Sequence, residues 1–172
     1  MCIDMKVILI AAISANGQIA QKVGQNSLDW TSKEDTRFFI EKTKEIGVMI
    51  MGRRTFETIG KPLKGRRLIV LSESVCEPKE GVEFVKASAR EILDRLEKEG
   101  VAQVAICGGA TVYGDFLRQG LVTDVFLSVE SVMFGSGIPL AVGFDRIDMR
   151  LVEVKRLGES TALLHYKLDG NN

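Results

Sequence analysis

The residue types able to do chemistry in this chain fall in a few short stretches. In "MIMGRRTFETIG" (49–60) an apolar run ends at Gly52 and is followed at once by Arg53, Arg54 and Thr55. Two cations and a hydroxyl at the first turn of a helix suit a phosphate, because helix N-termini expose free N–H groups and the positive end of the dipole. A solvated turn with an N-capping threonine explains the same residues. "AICGGATVYGDFL" (105–117) places a Gly-Gly pair between a strand and a helix, without the G-x-G-x-x-G spacing of a dinucleotide-binding unit. Gly108-Gly109 suits a tight turn, or a backbone that a ligand approaches closely before a phosphate-favouring helix start.

A different chemistry is available in "DWTSKEDTRFF" (29–39). Thr31 or Ser32 followed three residues on by Glu34 or Asp35 matches a capping box, and capping with the helix dipole accounts for one or both acids. Asp35 also shares a helix face with Phe39 and Ile46. A carboxylate on the apolar side of a helix is costly unless it has a partner, which makes Asp35 a candidate for proton chemistry. In "IGKPLKGRRLIVLS" (59–72), Arg66 and Arg67 enter a strand, where they either bind a carboxylate or phosphate or merely keep the surface soluble. His165, the chain's one histidine, lies in "TALLHYKL" and reads as a strand residue without a catalytic role. It has no Cys or His neighbours, so no metal site is expected.

These residues need elements to hold them. Apolar, β-rich runs recur at 7–13, 47–51, 67–71, 82–85, 103–107, 124–132, 151–156 and 161–168, with helical patterns at about 32–45, 54–60, 88–99 and 110–118. Runs such as "VILIAAI" and "RLIVL" are apolar throughout, which suits strands covered on both faces. Strand–helix alternation through residue 118, then strands alone, predicts an α/β fold with a mostly parallel sheet and an antiparallel end. Ligands of such sheets bind beyond the carboxyl ends of the strands. The strand-to-helix turns named above are at those ends.

No repeat, low-complexity tract or linker interrupts the 172 residues, so one domain is expected over 1–172. Basic and acidic residues number 23 each, leaving no overall field to draw the protein to nucleic acid or to a membrane surface. Cys2, Cys76 and Cys107 form no C-x-x-C pair and are odd in number, which points to a reducing, cytoplasmic setting. The opening "MCIDMKVILIAAIS" has an acid in its first residues and a short apolar run, so it reads as a buried strand ending at Asn16-Gly17.

In order and spacing, "ILIAAIS", "WTSKED", "MGRRTFETIGKPLKGR", "ICGGATVYGDFL" and "DVFLSVE" together resemble dihydrofolate reductase, from about residue 6 to residue 168. The resemblance implies a single-domain, three-layer fold with a mixed, mainly parallel eight-stranded sheet and helices on both faces. It implies NADPH-dependent reduction of 7,8-dihydrofolate to tetrahydrofolate by a monomer or homodimer. Asp35 matches the family's pocket acid, which hydrogen-bonds the pterin and promotes protonation at N5 while hydride passes to C6. Ile10, Ala11, Phe39, Ile59, Leu63, Tyr113 and Ser128 fall on substrate positions, and Arg66 on the arginine that clamps the glutamate carboxylate. Ala12, Ile19, Gly52, Arg53, Arg54, Thr55, Leu71, Ser72, Cys107, Gly108, Gly109, Ala110, Thr111 and Val112 fall on cofactor positions. Three features depart from the pattern. The loop Gln21–Leu28 is longer, Asp29 replaces a proline that often precedes the tryptophan, and Glu73 stands where a hydroxyl often meets the ribose phosphate. The segment "VMFGSGIPL" (132–140) is also similar to riboflavin-pathway pyrimidine reductases, which share the fold and cofactor. No H-x-E with P-C-x-x-C occurs, so no fused zinc deaminase half is expected. A non-catalytic nucleotide-binding module on the same scaffold is the third reading.

Overall fold

At the centre lies β1 (Lys6–Ser14), with seven of nine residues buried, as its unbroken apolar run requires. The computed structural model describes residues 4–74 and 76–169. The other strands are β2 (Gln18–Ala20), β3 (Val48–Gly52), β4 (Arg67–Leu71), β5 (Val82–Val85), β6 (Gln103–Ile106), β7 (Asp124–Glu130), β8 (Ile138–Pro139), β9 (Arg150–Arg156) and β10 (Thr161–Lys167). Eight of them form one sheet in the order β5-β4-β3-β6-β1-β7-β10-β9. Pairing is parallel from β5 to β7 and antiparallel at β10 and β9. This is the mixed, mainly parallel eight-stranded sheet expected from the sequence.

Among the described residues four α-helices cover the two faces, α1 (Lys33–Ile46), α2 (Arg53–Ile59), α3 (Ala89–Lys98) and α4 (Ala110–Arg118). On one face Phe38, Phe39 and Ile46 of α1 and Phe56 of α2 pack on Ile8, Ile10, Met49, Met51 and Cys107. On the other, Ile92, Leu93 and Leu96 of α3 and Tyr113 and Phe116 of α4 pack on Val7, Leu9, Ile50 and Ile106. Alternate residues of the same strands thus feed opposite cores, which is why those strands carry unbroken apolar runs between their ends. At Gly114 the chain has no room for a side chain, since an added Cβ would fall 1.6 Å from the Val142 carbonyl oxygen.

Two short strands escape the sequence reading. β2 and β8 pair with each other outside the main sheet, Gln18 with Pro139 and Ala20 with Ile138. Strands this short carry no periodic signal; long-range contacts set them. Asn16 fixes the join, its Nδ2 donating to the Phe134 carbonyl (2.7 Å) and its Oδ1 accepting from the Phe134 N–H (3.1 Å). The loop after β1 is thereby tied to the segment after β7. A 3₁₀ turn at Ser27–Asp29 then leads into α1.

Candidate active site

Asp35 stands in the first turn of α1, above the carboxyl ends of β1 and β7. Ser32 is the N-cap, its hydroxyl accepting the Asp35 N–H at 3.1 Å. The expected capping box is only half formed. Its return bond is replaced, because the Ser32 N–H donates not to an acid of α1 but to Glu130 Oε1, at 2.9 Å. The Asp35 side chain is therefore free of capping duty, and the residue is 8% exposed. Burial raises its pKa above the usual carboxylate range; contact with the Ser128 side chain works against this, and the nearby Glu130 carboxylate adds to it. A carboxyl group so placed holds its proton to higher pH than an exposed one.

Glu130 is the residue that the sequence reading missed. It is 4% exposed at the end of β7 and accepts both the backbone N–H and the hydroxyl of Ser32, at 2.9 and 3.0 Å. Thr161 Oγ1 lies 2.9 Å from its Oε2 and 2.7 Å from Ser32 Oγ. A signal was available. Phe126, Ser128 and Glu130 occupy every second position of β7, so a strand face that packs on α1 carries an acid.

The structure brings some of the remaining expected substrate positions together beneath α1 and leaves others apart. Ile10 is buried beneath α1, with Phe39, Ile59 and Leu63 against the same core, while Ala11 on the next position of β1 belongs to the opposite core. Ser128 is buried on the neighbouring strand, paired in register with Ala12. Tyr113 is buried with its hydroxyl donating to the Ile10 carbonyl at 2.6 Å, and burial raises its pKa well above the ordinary phenol value. Arg66 lies further out, at the mouth between α1 and β4. Its Nη1 donates to Thr43 Oγ1 (3.1 Å) and its Nε to the Lys64 carbonyl (3.2 Å). Two weak neutral partners leave most of a guanidinium's donors open to an anion.

The expected cofactor positions gather on the other side of β1. Gly52, Gly108 and Gly109 meet where β3 and β6 end, and the Gly52 N–H donates to the Gly108 carbonyl at 2.8 Å. The Gly108-Gly109 peptide is cis. A Cβ added at Gly109 would come within 3.2 Å of Thr55 Oγ1, and one at Gly52 within 3.1 Å of Val112 Cγ2. Gly52 and Gly109 are the N-caps of α2 and α4 and offer no side-chain cap, so the first-turn N–H groups face no competing side-chain acceptor there. Leu71, Ser72, Thr111 and Val112 line a cavity of about 450 Å³ beside them, with Glu73 and Val142 at its rim. Ile19 of β2 packs against the same core as Val112, Cys107 is buried with its thiol pushed up to about 12, and Ala110 opens α4.

Arg53 and Arg54 are both exposed in the first turn of α2. Arg53 is oriented rather than free, bonded through Nε to Glu57 Oε1 (2.9 Å) and through Nη1 to the Ser74 hydroxyl. It thus bridges α2 to the loop after β4. Glu73 pairs with Lys86 at 3.6 Å, both strongly exposed. Outside this area, His165 Nε2 lies 2.8 Å from Asp124 Oδ1 and its ring stacks on Phe126 at 4.1 Å. Among the described residues Cys76 and Cys107 are free thiols, and no group of three metal-ligating side chains occurs. Cys2 lies outside the described residues. No described helix is long and apolar enough to cross a membrane.

A family model described as dihydrofolate reductase matches residues 6–132. Dihydrofolate reductase from Neisseria meningitidis serogroup A is 34% identical to this chain, over 94% of the chain and 98% of its own length. Among solved structures, a putative riboflavin biosynthesis protein from Shewanella sp. PV-4 matches with a TM-score of 0.82 at 21% identity, covering 96% of this chain and 99% of that one. Dihydrofolate reductase from Enterococcus faecalis, complexed with NADP(H), matches with a TM-score of 0.75 at 23% identity, covering 98% and 99%. At these identities the two structures establish the common fold.

Proposed function

The chain belongs to the dihydrofolate reductase family, and from that premise we propose that it reduces 7,8-dihydrofolate to tetrahydrofolate with NADPH. One observation carries the reading: a buried carboxyl group with raised proton affinity, Asp35, sits where Ile10 of β1, Ser128 of β7 and Phe39 of α1 converge. Reduction of a ring imine needs a proton at nitrogen as well as a hydride at carbon. Asp35 answers that need by hydrogen-bonding the pterin and favouring its protonation at N5.

The residues around Gly52, Gly108 and Gly109 fit a dinucleotide. Uncapped starts of α2 and α4, the close-packed glycines and the adjoining cavity suit a pyrophosphate and an adenosine, and Arg53, Arg54 and Thr55 suit the additional phosphate of NADPH. When bound, the reduced nicotinamide supplies the hydride. This chain's own residues orient the two molecules, exclude water and manage the proton. Arg66, with its outer donors free, holds the glutamate carboxylate at the mouth. The Enterococcus relative's NADP(H) complex supports the choice of cofactor.

A pyrimidine reductase reading is favoured by the likeness to the Shewanella protein and by "VMFGSGIPL". A pterin-binding acid and a carboxylate clamp are folate requirements, and Asp35 with Arg66 supplies both. The two readings separate in one assay. Loss of reduced-nicotinamide absorbance should be followed with dihydrofolate and, separately, with a ribosylated aminopyrimidine. Oxidation with dihydrofolate alone is expected; oxidation only with the aminopyrimidine would overturn the proposal.

A further inference from the structure

Among the described residues, Glu130 is a deeply buried acid with no cation bonded to it, and the proposed reaction does not use it directly. Its place is unusual. The carboxylate lies at the N-terminal end of α1, where the dipole and free N–H groups favour an anion, but it comes from β7, 98 residues away in sequence from Ser32. It takes the Ser32 N–H and hydroxyl, and through Ser32 Oγ it is one link from the Asp35 N–H. Thr161 of β10 closes the cluster from the far side. The side-chain cap of the turn carrying Asp35 is therefore held in place by this one carboxylate. Trp30, Ser131 and Ser160 join Ser32 and Glu130 around a small cavity of about 170 Å³, which gives the carboxylate room for water on its remaining lone pairs.

We propose that Glu130 is a positioning residue for Asp35: reaching from β7 to the N-terminus of α1, it locks the turn that carries Asp35 and couples electrostatically to that acid. The inference rests on reading Asp35 as the proton-handling acid. A second carboxylate held close disfavours ionisation of the first, and a low-polarity setting strengthens the effect. The other groups facing Asp35 do not cancel it. Tyr113 of α4 is a neutral phenol bonded to the Ile10 carbonyl, Glu34 of α1 packs outward against Gly158, and His165 of β10 is engaged further along the strand with Asp124. Among the described residues neither Asp35 nor Glu130 is bonded to a lysine or arginine.

The test is the titration of Asp35 itself, read by carbon-13 NMR of its carboxyl group in the ligand-free protein. Two variants are compared with wild type, Glu130→Gln, which keeps shape and hydrogen-bonding capacity, and Glu130→Met, which removes both charge and polarity. Either one that folds carries the result. The Asp35 midpoint should fall by at least roughly half a pH unit, the scale of a close like charge. Thr161→Val, which trims the cluster but keeps the charge, should leave the midpoint near its wild-type value. An unmoved midpoint in a folded Glu130 variant would overturn the proposal, as would an equal fall in Thr161→Val. The hydride-transfer rate against pH should move with the NMR midpoint. If the midpoint falls but no dihydrofolate is turned over in any protein, the reading of the reaction fails and the coupling stands.

Discussion

Asp35 and Arg53 both occupy the first turn of a helix, yet one is 8% exposed and the other has a side chain 45% exposed. The difference matches the work proposed for each. A proton must be held against water, so Asp35 is buried, and burial itself raises its proton affinity. A phosphate must be caught from water, so Arg53 stays outside and is merely aimed, by Glu57 and Ser74. Interactions of the first kind are insulated from salt and sensitive to pH; those of the second are the reverse. The same fold thus places two electrostatic regimes on opposite sides of β1.

The largest expected effect breaks the buried side. Asp35→Asn should cut the hydride-transfer rate near neutral pH by about 10²–10⁴, the usual size for a proton-handling group. The loss should shrink at low pH, where solvent protonates the substrate, and single-turnover kinetics across pH checks this. The same variant should gain stability. A carboxyl whose folded pKa is raised binds its proton more tightly in the folded state, so it destabilises the fold progressively as pH rises from the ordinary carboxylate range through the folded value. Thermal unfolding at pH 7 should therefore show Asp35→Asn at least as stable as wild type. A less stable variant would mean that the acid is a structural partner instead.

Arg66→Leu comes next. It should weaken dihydrofolate binding by about 1.5–3 kcal/mol, the scale of a hydrogen bond to a charged group. A pterin without the glutamate tail should bind both proteins alike, and fluorescence titration of the two ligands decides it. On the exposed side, the Arg53→Ala, Arg54→Ala double variant should lose roughly ten- to a hundredfold in NADPH affinity while keeping its NADH affinity. Raising salt should erode NADPH binding more than NADH binding. The nearby Glu73, held by Lys86, sets a limit on this preference. An unchanged NADPH-to-NADH ratio in the double variant would leave the arginines as a solvated turn.

The smallest effect sharpens the contrast from inside the sheet. Asp124 begins β7 and Glu130 ends it, both below a tenth exposed. Burial alone would raise the Asp124 pKa, but hydrogen bonds from His165 and Thr123 outweigh it and hold the value below normal. A depressed folded pKa adds stability that is present above the unfolded pKa and lost as pH falls through the folded one. Asp124→Asn should cost about 1 kcal/mol at pH 7 and flatten the acid limb of a stability–pH curve measured by denaturant unfolding. Partnering, not depth, sets the sign.

Much of this was legible in the chain. Unbroken apolar runs such as "VILIAAI" marked strands buried on both faces, and the spacing of Asp35 to Phe39 and Ile46 placed the acid on the covered side of α1. What stayed hidden depended on partners far away in sequence. Glu130 reaches Ser32 across 98 residues and Thr161 reaches Ser32 across 129, so the helix cap looked self-contained when it is not. The β2–β8 pair likewise rests on Asn16 and Phe134, 118 residues apart. Local pattern shows which face is buried; it does not show which side chain from another strand will fill it.

Hydride delivery to a pterin is the activity proposed for this chain. The most direct measurement uses reduced nicotinamide cofactor deuterated at C4, with dihydrofolate and the ribosylated aminopyrimidine offered together and the products read by NMR and mass spectrometry. Tetrahydrofolate carrying one deuterium at C6 is expected, with the N5 proton drawn from solvent. Deuterium found in the sugar chain of the aminopyrimidine, with the pterin unreduced, would contradict it.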